Sequence, residues 1–215
     1  MRSQWAITTI GLTFLLLGEA KKHNISMFEP KGDAYREWLE SRDLKSVVYV
    51  SFGSIASLKK EQMAEHGHAL LATGRHFLWL VRSTELDKLP SDFANTAAGK
   101  GLIVEWCHQP EVLAHKAVAM AQWVDQCTNA KLVEDVWGAG ARCGGRDGIV
   151  GREEIAKCIE RVVGGDEIRR NALRWKEMAA EAVGKGGTSD LNVVDFVSKI
   201  VFDDGGDFSP TSVLV

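Results

Sequence analysis

Three stretches of the chain are apolar at nearly every position instead of at alternate ones. Val47 to Val50 is an unbroken β-branched and aromatic run, Phe77 to Val81 is a second, and Leu102 to Glu105 a third. Continuous runs of this length predict short strands buried on both faces. The segments around them have a helical period instead. Lys59–Thr73 sets Met63, Leu70 and Leu71 on one side and is followed by Gly74, a helix stop. Asp33–Ser41 predicts a short helix with Tyr35, Trp38 and Leu39 as its apolar face, and Glu111–His115 another. Thr128–Trp137 predicts a helix and Ala139–Cys143 a short strand.

The last third of the chain is helical in pattern. Ile155, Ile159 and Val162 recur along Arg152–Val163, with Glu153 and Lys157 spaced as an ion pair. Ile168, Ala172, Trp175, Ala179 and Ala182 form a stripe along Asp166–Val183, which Gly186-Gly187 ends. Ser189 is positioned to cap a last helix carrying Val193, Val194, Val197 and Val201. Asp203–Val215 is rich in Gly, Asp and Ser and predicts a frayed tail. Strands alternating with helices predict an α/β fold with a parallel sheet covered on both faces.

Composition narrows the function. The 215 residues carry 26 Lys and Arg against 29 Asp and Glu, a net charge of −3, so no basic excess exists to hold a phosphate backbone. That argues against a nucleic-acid partner. Cys107, Cys127, Cys143 and Cys158 form no CxxC pair, which argues against a zinc site or a disulfide scaffold and for reduced thiols. Ala6–Leu17 is apolar and mimics a short signal peptide, yet it is far below the ~20 residues of a membrane span. A buried strand with its linker explains the same run and is the reading adopted, with a cytoplasmic location.

Chemistry in an open α/β sheet gathers beyond the carboxyl ends of the strands. Three groups fall there. Gly53-Ser54 follows the first strand, where a backbone N–H and a hydroxyl can meet a phosphate, although many such pairs are plain turns. Trp106-Cys-His-Gln109 follows the third strand. Its indole is a stacking face for a planar base and its amide can read a base edge, while a Trp there can equally cap a core. Asp125-Gln126 pairs a carboxylate with an amide, suited to sugar hydroxyls or to a helix cap. None of the histidines fits a catalytic pattern. His66 and His68 do not share a helix face, and His115 ends a short helix.

These groups belong to a longer pattern. Trp106-Cys-His-Gln-Pro-Glu-Val-Leu-Ala-His-Lys-Ala117 resembles the opening of the signature box of plant UDP-dependent glycosyltransferases, and Val118–Gln126 resembles its close. Thr128–Gly138, Val47–Ser54, Lys88–Phe93, Gly148–Ile155 and Arg169–Glu181 resemble the flanking segments, and Trp5–Thr13 the segment leaving the family's other domain. The resemblance implies the carboxyl-terminal half of a GT-B fold, with a Rossmann-like parallel sheet that binds a UDP-sugar. It implies stacking of Trp106 on uracil, Gln109 at the uracil edge, Ser54 at the diphosphate, and Asp125 with Gln126 on the sugar. Residues 46–202 would be the donor domain, 1–45 a remnant of the preceding domain and linker, and 203–215 the tail. No metal or other cofactor is implied, and UDP-sugar is the co-substrate of a hexose transfer to a small molecule.

The departures from the family pattern bear on activity. The family box is longer by roughly two dozen residues, and the gap falls between Ala117 and Val118. The missing piece holds the His-Cys-Gly-Trp-Asn-Ser centre and a Glu, which supply diphosphate and ribose ligands and one strand–helix unit. His108 and Pro110 also replace more usual residues. Each hydrogen bond to a charged group contributes about 1.5–3 kcal/mol. Four lost contacts cost about 6 kcal/mol or more, some four decades of affinity. The expectation is weakened UDP-sugar binding, no catalytic residue in this chain, and an acceptor only where an acceptor domain is supplied. A non-catalytic binding protein paired with a full-length relative is the alternative. A nicotinamide-dependent enzyme is disfavoured because no GxGxxG follows the first strand.

Overall fold

The computed structural model describes residues 34–43, 46–53, 56–108, 112, 125–144 and 148–203, taking 125–128 and 201–203 by backbone alone. The Ala6–Leu17 run, the junction at Ala117–Val118 and the tail lie outside the described residues, as does all but Val112 of the Glu111–His115 helix. The chain forms two compact units, one of residues Ser26–Leu173 and one of Met1–Ile25 with Arg174–Val215.

The first unit is built on helix α1 (Ala34–Glu40), strand β1 (Val47–Val50), helix α2 (Lys60–Ala72), strand β2 (His76–Leu80), a 3-10 helix (Ser83–Lys88), helix α3 (Phe93–Thr96) and strand β3 (Gly101–Val104). Helix α4 (Asp125–Asp135) and helix α5 (Arg152–Gly164) follow, and helix α6 (Asp166–Val183) begins in this unit and ends in the second. The strands are parallel in the order β1-β2-β3. Val48 lies beside Phe77 and Phe77 beside Gly101, with Val50 beside Trp79 and Trp79 beside Ile103.

Alternation sends the strand side chains to two faces. Val48, Val50, Phe77 and Trp79 pack with Met63 and Leu70 of α2, Phe93, and Ile155 and Ile159 of α5. Val47, Tyr49 and Leu78 face the other way and pack with Tyr35 and Leu39 of α1, Cys107 and Val112. Burial on both sides is why the strands read as continuous apolar runs. Close packing leaves its mark at Gly101, where a Cβ would fall 2.1 Å from the Phe77 ring.

Helix α5 is fixed to α2 by more than apolar contact. The Gln62 amide donates to the Val150 carbonyl at 2.9 Å and accepts from the Val150 N–H at 2.8 Å, as a neighbouring strand would. Both partners of this buried amide are therefore satisfied. Glu65 meets the Arg152 side chain and backbone, and Arg75 donates side-on to both Glu160 oxygens through Nε and Nη2, at 2.8 and 2.7 Å.

Two local expectations are corrected. Ala139–Cys143 is not a strand. Its Arg142 N–H, a donor that a ladder would use, goes to the Glu134 carboxylate at 3.2 Å, and the Arg142 guanidinium holds the same carboxylate. Ser189 is not the cap of the last helix. Helix α7 (Thr188–Asp203) begins before it, and Asp190 accepts the Gly186 N–H at 2.8 Å. In the second unit α7 exposes Leu191, Val194, Phe196, Val197 and Ile200.

Candidate functional site

Parallel strands put the carboxyl ends of β1, β2 and β3 along one edge, and each is followed by residues able to meet a ligand. After β1 the chain turns through Gly53 at φ +76°, a left-handed conformation suited to glycine. The Ser51 hydroxyl accepts the Gly53 N–H at 3.4 Å. Ser54 itself lies outside the described residues, as does Gln109. Asp125 and Gln126 form the first turn of α4, their side chains undescribed. Only Trp106, among the five predicted donor contacts, is described in full.

Trp106 sits two residues beyond β3, half-buried against the cluster of Tyr35, Tyr49 and Cys107. Its ring centroid is 6.4 Å from that of His108, tilted at 47°. The segment beneath it is pinned from two sides. The His108 N–H donates to the Tyr35 hydroxyl at 3.2 Å, and the Cys107 thiol donates to the Tyr49 hydroxyl at 3.5 Å. The chain has two tyrosines in all, so both serve this strand end. Burial drives the Tyr49 phenol above its ordinary range, and the Cys107 sulfur reinforces the effect. Tyr49 therefore stays a neutral hydroxyl. The sequence had marked Tyr35 only as one residue of an apolar face and Tyr49 only as part of a buried run. Their hydroxyl partners are 73 and 58 positions away, a separation that leaves no local pattern to read.

A polar network at the ends of β1 and β2 joins Ser57 to partners 28 and 31 positions away, while its Arg82, Glu85 and Lys88 are spaced three apart. Ser57 donates to both Glu85 oxygens at 3.1 Å, and Lys88 reaches the Ser57 hydroxyl and the Glu85 carboxylate at 2.7 Å each. Arg82 donates to the Ala56 carbonyl at 2.6 Å and stands 3.7 Å from Glu85. Burial works to raise the Glu85 carboxyl. The hydrogen bonds from Lys88 and Ser57, with the charges of Lys88 and Arg82, outweigh it and hold the group below its usual range. Arg82 and Glu85 border a small cleft lined also by Phe52, Gly53 and Trp79, which has room for a water molecule. Among the described residues no three His, Cys, Asp or Glu side chains group to hold a metal ion, and no helix is long and apolar enough to cross a membrane.

A parallel sheet with an aromatic ring and a glycine turn at its carboxyl edge is common to many nucleotide-binding proteins, so comparison decides the family. Residues 20–124 match the family of "UDP-glucoronosyl and UDP-glucosyl transferase". UDP glycosyltransferase 9 of Catharanthus roseus is 41% identical over 242 residues, covering 94% of this chain and 51% of its own length. UDP-glycosyltransferase 74E2 of Arabidopsis thaliana is 41% identical, covering 92% and 51%. The chain belongs to the UDP-glycosyltransferase family. It spans about half the length of the curated relatives it matches.

Solved structures agree. Os79 of O. sativa, in complex with UDP, superimposes with a TM-score of 0.80 at 35% identity, over 93% of this chain and 51% of that one. Phytolacca americana UGT2, complexed with UDP-2fluoro-glucose and pterostilbene, gives 0.73 at 25% identity, over 81% and 46%. The UDP-glycosyltransferase likeness confirms the expected α/β, Rossmann-like class, with helices on both faces of its parallel sheet.

Proposed function

We propose that this UDP-glycosyltransferase chain binds a UDP-sugar at the carboxyl edge of its sheet and corresponds to the donor-binding part of a hexosyltransferase. The reaction is transfer of a hexose, glucose by family, to a hydroxyl or carboxyl of a small molecule. Trp106 stacks on the uracil, Gln109 reads its edge, Ser54 meets the diphosphate, and Asp125 with Gln126 hold the sugar hydroxyls. Residues 46–202 make the donor domain, the protein works in the cytoplasm, and no metal takes part. The observation that carries the reading is Trp106, half-exposed just past β3 and held by Tyr35 and Tyr49 through its two neighbours. A fixed indole loses little freedom on stacking, which favours a planar base.

We further propose that the chain by itself binds donor weakly and transfers nothing. The match to UDP glycosyltransferase 9 runs for 242 residues against a chain of 215, so the relative holds residues with no counterpart here. We place that shortfall between Ala117 and Val118, where the diphosphate and ribose ligands belong. The same shortfall favours one other reading, a non-catalytic protein that pairs with a full-length relative.

Calorimetric titration with UDP tests the site. Binding in the millimolar range, weakened at least tenfold by Trp106→Ala and absent for NAD, is the expected result. UDP affinity unaffected by Trp106→Ala would refute the site. UDP release with phenolic or carboxylic acceptors is expected to be absent. Steady release would overturn the inactive reading.

A further inference from the structure

The strongest unassigned chemistry lies away from the donor edge, where the irregular segment after α4 meets α5. Cys158 of α5 is sealed at 8% exposure. Its thiol donates to the Arg142 carbonyl at 3.5 Å and lies 3.8 Å from a Glu154 oxygen. That carbonyl belongs to the peptide that carries Cys143. Every described peptide is trans, and a carbonyl oxygen sits about 2.8 Å from the next Cα in that arrangement. The Cys158 sulfur is therefore within roughly 6 Å of the Cys143 Cα. The Cys158 thiol is also one of the groups that raise the Cys143 thiol. A disulfide needs Cα atoms about 4.4–6.8 Å apart, a separation that this neighbourhood permits.

We infer that Cys143 and Cys158 are a site of reversible oxidative modification, closing to a disulfide when hydrogen peroxide reaches Cys143. The two thiols differ in access. Cys143 is half-buried in a segment without regular structure, and nothing stands within 4 Å of the Cβ position of the adjoining Gly144, so the backbone has room to adjust. Cys107 is buried and engaged with Tyr49. Among the three cysteines whose side chains are described, Cys143 is the one peroxide meets first. Its sulfur attacks the O–O bond, one oxygen leaves as water, and the other stays as the sulfenic acid. The Cys158 sulfur then attacks the sulfenyl sulfur and expels the second water. Two thiols and one peroxide give one disulfide and two waters.

The groups facing Cys143 set the pace. Burial, the Cys158 thiol and the carboxylates of Glu154 and Glu134 push its own thiol up to about 12, while Arg142 and Arg161 pair with Glu134. Thiolate is scarce at neutral pH, so closure is slow there and speeds up about tenfold per pH unit as pH rises.

The test is peptide mapping of the full chain after treatment with hydrogen peroxide and blocking of free thiols. A loss of two hydrogens with a Cys143–Cys158 crosslink, reversed by dithiothreitol, is the expected outcome. The crosslinked chain should melt on the order of 5–10 °C higher. Cys143→Ser and Cys158→Ser should each remove the crosslink, and Cys107→Ser should leave it intact. Conversion of Cys143 to sulfinic acid beside a free Cys158, or a crosslink through Cys107 or Cys127, would overturn the inference. Mapping of the unmutated chain decides between these outcomes even if a variant fails to fold.

Discussion

The two faces of the sheet share the same three strands and are built for different ends. One face packs Val48, Val50, Phe77 and Trp79 against the long helices α2 and α5. The other packs Val47, Tyr49 and Leu78 against the seven-residue helix α1 and the strand-end segment holding Cys107. The first face uses aromatic bulk. Trp79 is fully buried and meets Phe93 edge-on at 5.6 Å. The second face buries aromatic rings too, but both carry hydroxyls, and those hydroxyls hold the segment around Trp106. The two sides of the sheet thus differ at the core: hydrocarbon packs against α2 and α5 on one, and on the other two tyrosine hydroxyls hold the strand-end segment around Trp106. Hydrocarbon packing is non-directional and scales with buried area, whereas a hydrogen bond contributes little net energy yet fixes an angle.

The sharpest way to break this comparison is Trp79→Ala. Removing a buried indole should cost about 3–5 kcal/mol in denaturant unfolding, with the Trp106 segment keeping its place once the chain is folded. A smaller loss than that of Tyr49→Phe would invert the assignment of the faces.

Tyr35→Phe probes the other side. It keeps the ring in the core and removes the hydroxyl that accepts the His108 N–H, at a cost of about 1–2 kcal/mol. The change should also loosen Trp106, read as a shift in tryptophan emission and a weaker response to UDP. Emission identical to the parent chain would remove the positioning role.

The smallest effect comes from a buried histidine on the hydrocarbon face. His66 is buried, its Nδ1 on the Gln62 carbonyl at 2.7 Å and its ring against Phe52, while its Nε2 has no hydrogen-bond partner among the described residues. Burial lowers its pKa, with the Gln62 carbonyl and the Glu65 charge opposing only in part. The folded chain holds His66 neutral where the unfolded chain takes a proton, so its contribution is full above pH 6.5. It is lost as pH falls from there through the depressed value. The loss is at most about 1.4 kcal/mol per pH unit. It precedes that of Glu65, Glu134 and Glu160, which Arg152, Arg142 and Arg75 hold below the usual carboxylate range. Unfolding measured from pH 7 to 5 should show this slope, and His66→Leu should flatten it. An unchanged slope in the variant would assign it to other groups.

Much of this was open to reading from the chain alone. The three strands, α2, α5 and α6 follow from apolar period and from Gly74 and Gly186-Gly187, because burial against a partner leaves a local signature whatever the partner is. Trp106 and its neighbours were legible as a likeness to a known signature. The segment after α4 was misread as a strand because short apolar pieces do not say whether a neighbouring strand exists, and here Glu134 takes the backbone donor instead. Which tyrosine holds which strand end, which carboxylate Ser57 and Lys88 share, and which cysteines become neighbours were decided by tertiary structure only. Each of these pairings except Glu85–Lys88 joins residues from 15 to 73 positions apart. The sequence by itself determined which positions are apolar and at what period, hence the class of fold. Polar pairing was left to the folded chain, because a donor finds its acceptor only after the elements that carry them have packed.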